Sequence, residues 1–113
     1  MGDSATKFEL IEASIDDVLD AFRSGEITST WLTERYLARI DAYDAGEDGL
    51  HAIPVPNPDA LHQAAESDQR WRDGTARALE GVPFTVKDSY MVAGLTVASG
   101  SPALQHLIAQ REA

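Results

Sequence analysis

The sequence predicts an α/β protein that contains three helices and two short strands. Three stretches have apolar residues at helical spacing, and each follows a residue that commonly caps a helix. Two short apolar runs, 51–55 and 82–86, are predicted strands, and the third helix lies between them in the chain. A helix between two strands suggests a βα unit that belongs to a larger sheet, with the second strand in its interior.

The first helix is predicted from Ile15 to Arg23. Ser14 can cap its N-terminus, and Gly25 can end it in a left-handed conformation. Apolar residues recur along it with the period of a helix and should face the core. They are Ile15, Val18, Leu19 and Phe22.

The second helix is predicted from Ser29 to about Tyr43, with Thr28 as its cap. Ile27, before the cap, and Leu32, in the first turn, can form a hydrophobic staple. The apolar stripe of this helix should again face the core rather than a ligand. It consists of Leu32, Tyr36, Leu37, Ile40 and Tyr43.

The third helix is predicted to start at Asn57 and Pro58, with Asn as the cap and Pro in the first turn. It should continue to about Asp73 and end at Gly74. The strand before it, 51–55, contains Pro54, which limits it to a sheet edge or a brief segment. In the strand after it, Val82, Phe84 and Val86 should share one face, while Thr85 and Lys87 share the other.

Composition excludes several classes of function. The net charge of −10 disfavours a nucleic-acid groove or an anionic membrane surface as partner. The sequence contains no cysteine and no apolar run of membrane-spanning length, so we expect a cytoplasmic protein. We expect residues 1–10 to be flexible. Its histidines lack metal-ligand spacing, and no phosphate-loop pattern occurs, so we expect no metal and no cofactor. The histidines are His51, His62 and His106.

Lys87 is the candidate catalytic residue, because a lysine at the end of a buried strand is unfavourable unless it is neutral or paired. The loop that follows is rich in glycine and hydroxyl side chains. A neutral lysine beside hydroxyls is typical of Ser–Lys nucleophilic sites, in which the amine accepts the proton of a serine. The alternative is a strand-terminal lysine that extends its ammonium into water.

Three blocks around this lysine resemble the opening of the amidase signature family: GVPFTVKDSY at 81–90, GLT at 94–96 and SGSPAL at 99–104. The resemblance extends from about Ile11 to Leu104. Members hydrolyse carboxamides with a Ser–cisSer–Lys triad, on a fold with a mixed sheet between helical layers (α/β/α). The resemblance implies that Lys87 is the catalytic lysine and acts through the bridging cis-serine. It also implies a small-molecule amide as substrate.

The family's serine-rich segment, which supplies the other two triad residues, lies well downstream of its lysine, whereas this sequence ends at Ala113. We therefore expect residues 1–113 to be the N-terminal segment of an amidase domain, with one catalytic residue of three. Ser89 could share the face of Lys87, but Ser99 and Ser101 are expected to be turn residues. Two alternatives stay open. The chain is an inactive fragment that folds or self-associates alone, or it is a domain that docks on a partner, such as the C-terminal portion of an amidase, through an exposed apolar patch.

Overall fold

Three helices form in the computed structural model, which describes residues 7–113. They are α1 (Ile15–Ser24), α2 (Ser29–Tyr43) and α3 (Ala60–Asp73), and a 3₁₀ turn follows at Pro102–Leu104. Of the stretch that we predicted to be flexible, residues 1–6 lie outside the described residues. No helix within 7–113 is both long and apolar enough to cross a membrane.

The chain divides into two units. Unit 1 contains residues 7–51 and Pro58–Pro83, and therefore all three helices. Unit 2 contains Ala52–Asn57 and Phe84–Ala113. The predicted strand before Lys87 is thus divided between the units. Val82 and Pro83 belong to unit 1, whereas residues 84–87 belong to unit 2.

Helix α1 confirms its predicted start. Ser14 Oγ accepts a hydrogen bond from the Asp17 amide, and the Asp17 carboxylate accepts one from the Ser14 amide, each at 3.0 Å. These reciprocal bonds form a capping box, and they lower the pKa of Asp17. Gly25 ends the helix at φ +78° and donates its amide hydrogen to the carbonyls of the last turn.

Helix α2 has the predicted cap and length. The Trp31 amide donates to Thr28 Oγ1 at 3.0 Å. Ile27 and Leu32 are both buried in the same apolar cluster, in agreement with a hydrophobic staple. Tyr43, which we predicted to face the core, is exposed, and the Arg39 guanidinium lies over its ring at 5.1 Å.

Helix α3 begins later than predicted. Pro58 and Asp59 form a turn, and the backbone of Asp59 (φ −96°, ψ 5°) occupies the cap position in place of Asn57. The first helical bond runs from the Gln63 amide to the Asp59 carbonyl at 2.9 Å. The predicted end is confirmed, since Gly74 adopts φ +73° and closes the last turn.

Neither predicted strand forms. Segments 51–55 and 82–86 have no ladder partner among residues 7–113, and a strand without a partner leaves its backbone groups unpaired. The one β-type pairing in the described residues is an isolated antiparallel bridge in unit 2, between Thr96 and Ile108. The mixed sheet that the family resemblance implies stays a prediction.

The core of unit 1 is formed by the inner faces of α1 and α2 and the residues that connect them. Ile15, which we predicted to belong to this face, is exposed, because it lies in the first turn beyond the cluster. Phe8 meets Trp31 edge to face at 6.3 Å between ring centroids, and Trp71 of α3 packs against Phe22 at 5.9 Å. The buried members of this core are Val18, Leu19, Ala21, Phe22, Ile27 and Leu32.

Candidate active site

Lys87 lies in an irregular segment and its side chain is exposed. Its carbonyl accepts a hydrogen bond from the Tyr90 amide at 2.9 Å, which closes a turn directly after the lysine. The predicted burial of this amine is wrong for the described structure. The cause is that 82–87 forms no strand, so no neighbouring strand covers the side chain.

The side chains on the predicted strand also differ from their expected pattern. Val82 packs partly against the core of unit 1, as expected. Phe84, predicted to share its face, is 82% exposed, and Val86 is 43% exposed. The alternation that a pleated strand would impose is therefore absent, and in unit 2 the apolar side chains next to Lys87 are in contact with solvent.

The serines of the loop take the predicted turn positions. Ser99 and Gly100 have φ values of +50° and +77°, and the Ser101 amide donates to the Ala98 carbonyl at 2.9 Å. Ser99 Oγ donates to the Asp88 carbonyl at a long 3.4 Å. This contact connects the turn to the residue after Lys87. Ser89 is exposed and has no contact that would identify it as a nucleophile.

Sequence analysis missed the most tightly held charged group, Glu80. Its carboxylate is 1% exposed and is the acceptor for three side chains. Ser67 Oγ donates to it at 2.6 Å, Arg77 Nε at 2.9 Å and Arg70 Nη1 at 3.2 Å. A local signal existed, since Arg77 precedes Glu80 by three residues, but the contributions of Ser67 and Arg70 come from another element.

These contacts determine the charge state of Glu80. Hydrogen bonds from the Arg77 guanidinium, partly opposed by burial and assisted by Ser67, lower the pKa of Glu80 from 4.5 to about 2. The same contact raises the pKa of Arg77. Glu80 is therefore a carboxylate at any ordinary pH, and its contacts with Arg70 and Arg77 are ion pairs.

A second buried carboxylate, Asp68 of α3, caps helix α2 from outside. Its Oδ1 accepts from the Ser29 amide at 2.6 Å, and its Oδ2 accepts from the Thr30 amide at 3.1 Å and from Thr30 Oγ1 at 2.6 Å. An anionic group at a helix N-terminus satisfies amides that have no partner within the helix. Asp68 thus joins α3 to α2 and serves as a structural cap.

The histidines do not converge on a site. His62 pairs with Glu66 on the exposed face of α3 at 3.0 Å, whereas His51 and His106 are exposed loop residues. Between residues 7 and 113, no group of three or more His, Cys, Asp or Glu side chains could hold a metal ion.

Residues 31–113 match the protein family described as Amidase. Curated relatives include a glutamyl-tRNA(Gln) amidotransferase subunit from Geotalea daltonii, 34% identical over 88% of this chain, and its counterpart from Thioalkalivibrio sulfidiphilus, 36% identical over 90%. The chain spans about a fifth of the length of these relatives, 20% and 21% respectively.

Two solved structures of amidases are also similar to this chain in fold. The native peptide amidase from Stenotrophomonas maltophilia is 40% identical with a TM-score of 0.84, and the match covers 88% of this chain and 20% of the enzyme. An amidase family protein from Bacillus anthracis matches 99% of this chain and 22% of its own, with a TM-score of 0.79. At 24% identity, the second likeness concerns the fold alone.

Proposed function

Because the chain belongs to the amidase signature family, we propose that it forms the N-terminal part of an amidohydrolase that cleaves a carboxamide C–N bond. The observation that carries this proposal is the position of Lys87, inside the GVPFTVKDSY block and inside the family match at 31–113. The matched part of the chain spans about a fifth of its curated relatives, and we place the two serines of the proposed triad in polypeptide beyond Ala113.

In this enzyme Lys87 is the proton acceptor. Its amine takes the proton of the bridging cis-serine, which in turn takes the proton of the nucleophilic serine. The nucleophile attacks the amide carbon, the amine or ammonia leaves with a proton, and water hydrolyses the acyl-enzyme. Lys87 is exposed in the described structure, so hydroxyls from another segment can reach its amine.

The proposed substrate is a small-molecule amide, and the proposed acceptor of the acyl group is water. The relative named a peptide amidase makes an amidated peptide a sensible first substrate. The charge of −10 disfavours nucleic acid as a partner of this part of the protein, although several relatives are named for a tRNA-linked amidotransferase.

The test replaces Lys87 by Ala in the enzyme that includes the polypeptide beyond Ala113. We expect kcat for an amidated peptide to fall by about 10²- to 10⁴-fold, the usual contribution of an acid–base group, while the fold is retained. The chain offers a matched control, because the only other lysine of the sequence is the exposed Lys7. Lys7→Ala should retain full activity. Near-normal turnover of Lys87→Ala would remove Lys87 from the mechanism.

One observation favours a second candidate function, an inactive domain that self-associates or docks on a partner. Large apolar side chains of unit 2 are exposed, including Phe84 at 82% and Tyr90 at 59%, whereas Ala109 is the one buried apolar residue of unit 2. Two measurements distinguish the two functions: the oligomeric state of the 113-residue chain by sedimentation, and amide hydrolysis by the chain and by longer forms of the protein. Amide hydrolysis by the chain alone would contradict our proposal, and a stable oligomer without hydrolysis by any longer form would favour the second function.

A further inference from the structure

A pocket of about 240 Å³ lies in unit 1, where the end of α1, the start of α2 and the last turns of α3 meet. It is open to solvent, and all of its lining belongs to unit 1. We call it the helix-end pocket, and six side chains determine what it can bind: Phe22, Arg23, Ile27, Thr28, Trp71 and Arg72. None of them belongs to the 81–90 block, so binding there does not depend on the proposed catalytic role of Lys87.

The floor of the helix-end pocket is apolar and aromatic. Phe22 and Ile27 are buried members of the core, and Trp71 is half-buried. The rings of Phe22 and Trp71 are tilted by 56° at 5.9 Å between centroids, an arrangement beside which a third ring can pack favourably. Trp71 Nε1 already donates to the Glu80 carbonyl at 3.0 Å, which leaves the indole its apolar surface for a ligand. An apolar cavity of about 150 Å³ holds benzene, so the helix-end pocket has room for a ring and a small polar group.

The exposed polar groups of the pocket offer hydrogen-bond donors. Arg23 and Arg72 lie in the last turns of α1 and α3. Arg23 Nη1 donates to Asp20 Oδ1 at 2.7 Å, and Arg72 Nη2 donates to Gln69 Oε1 at 2.7 Å. Between residues 7 and 113 one nitrogen of each guanidinium is engaged in this way, so the other nitrogens keep donors for a ligand. Thr28 Oγ1 is used as an acceptor in the helix cap, which leaves its hydroxyl hydrogen as a third donor.

Charge also favours an anion in this pocket. Arg72 is bound to a neutral amide, so that contact leaves its positive charge uncompensated, whereas Arg23 is paired with Asp20. Asp68 belongs to the lining as well, but both of its oxygens accept hydrogen bonds from the first residues of α2. Arg72 is therefore the stronger anion ligand of the two arginines. An apolar ligand or a cation would leave its remaining donors without an acceptor.

We propose that the helix-end pocket binds a small aromatic carboxylate. The ring lies on the apolar floor, and the carboxylate accepts hydrogen bonds from Arg72, Arg23 and Thr28. Hydrogen bonds between a guanidinium and a carboxylate are charge-assisted and stronger than neutral ones. A neutral molecule with the same ring gains the apolar contact but not these bonds, so the charge of the ligand should determine its affinity.

The experiment titrates sodium benzoate into the 113-residue chain and follows the NMR signals of the two tryptophan side-chain N–H groups. Trp71 lines the pocket and Trp31 does not. We expect the Trp71 signal to shift to saturation while the Trp31 signal stays constant. Benzyl alcohol, a neutral molecule with the same ring, should bind about 10-fold more weakly. The difference between the two ligands should shrink as salt is added, because both arginines are exposed.

Charge-neutral variants identify the groups that hold the carboxylate. Arg72→Gln should lower the affinity for benzoate by about 10-fold and leave that for benzyl alcohol unchanged. Arg23→Gln should have a smaller effect, because this arginine is already paired with Asp20. Arg39→Gln is the matched control, since it removes one charge from an exposed position of α2 outside the pocket and should bind benzoate like the wild type.

Several results would overturn the proposal. They are the absence of a saturable Trp71 shift, equal affinities for benzoate and benzyl alcohol, and equal losses in Arg72→Gln and Arg39→Gln. The same titration of the protein that includes the polypeptide beyond Ala113 tests a competing occupant. If benzoate does not bind that longer form, the additional polypeptide covers the pocket and the proposal fails. This failure would not affect the proposed function, which Lys87→Ala tests separately.

Discussion

An added methyl group at Gly81 should destabilise unit 1 through both the backbone conformation and a close contact. The φ of +83° at this glycine is a left-handed conformation, and a Cβ atom there would lie 2.9 Å from Ser29 Cβ and 3.3 Å from Phe22 Cε2. Neither neighbour can move easily, because Ser29 is buried and bonded to Gly81 and Phe22 belongs to the core. The left-handed backbone costs about 1 kcal/mol for a non-glycine residue, and overpacking costs about 2 kcal/mol.

Gly81→Ala should therefore lower the free energy of unfolding of unit 1 by about 3 kcal/mol. Gly74→Ala is the matched control, since Gly74 has a similar φ of +73° but nothing within 4 Å of an added Cβ. It should lose only the backbone part, about 1 kcal/mol. The difference between the two variants measures the contact with Ser29 and Phe22.

Urea unfolding followed by tryptophan fluorescence is a suitable assay, because both tryptophans, Trp31 and Trp71, lie in unit 1. With an m-value of about 1.5 kcal/mol/M, the midpoint should fall by about 2 M for Gly81→Ala and about 0.7 M for Gly74→Ala. Equal losses in the two variants would refute the reasoning, because they would show that the close approach of Ser29 to Gly81 does not exist in solution.

Two further predictions concern the buried carboxylates. Because the pKa of Glu80 is lowered from 4.5 to about 2, its contribution to stability is complete above about pH 5 and is lost as the pH falls towards 2. After an allowance for the exposure of Arg77, the loss should be about 2 kcal/mol, measured as the extra acid sensitivity of wild type over Glu80→Gln in urea titrations. Asp68→Asn should lower the free energy of unfolding by about 2 kcal/mol, because the single oxygen of an amide cannot accept from both Ser29 and Thr30. The control is Asp16→Asn at an exposed position, which should change the free energy of unfolding by less than about 0.5 kcal/mol. Similar losses in the two variants would contradict the capping role of Asp68.

The helices could be predicted because their signals are local. Ser14 and Thr28 bond to amides three residues along, and Gly25 and Gly74 adopt a conformation that depends on glycine itself. The start of α3 differs from the prediction because Asn57-Pro58 and Asp59 are both plausible caps. Local preference does not decide between them.

The strands and the long-range contacts of Asp68 and Gly81 could not be predicted in the same way. A strand exists only with a ladder partner, and the apolar run at 82–86 carries no information about whether that partner is present. Asp68 reaches Ser29 across 39 residues, and Ser29 reaches Gly81 across 52. Contacts at such separations are determined by the packing of α2 on α3. A sequence pattern of single elements does not reveal them.

The exposure of Lys87 and the exposure of its apolar neighbours have one common explanation under the proposed function. Phe84 and Tyr90, on either side of the lysine, would each contribute about 2 kcal/mol if they were buried. Under the proposed function, polypeptide that covers these rings would also remove water from Lys87, which lies between them in the sequence, and desolvation favours the neutral form of an amine. Under the proposed function, the exposed apolar side chains of unit 2 would contact the polypeptide that carries the serines. A structure of the longer protein in which Phe84 and Tyr90 stay in solvent would contradict this explanation.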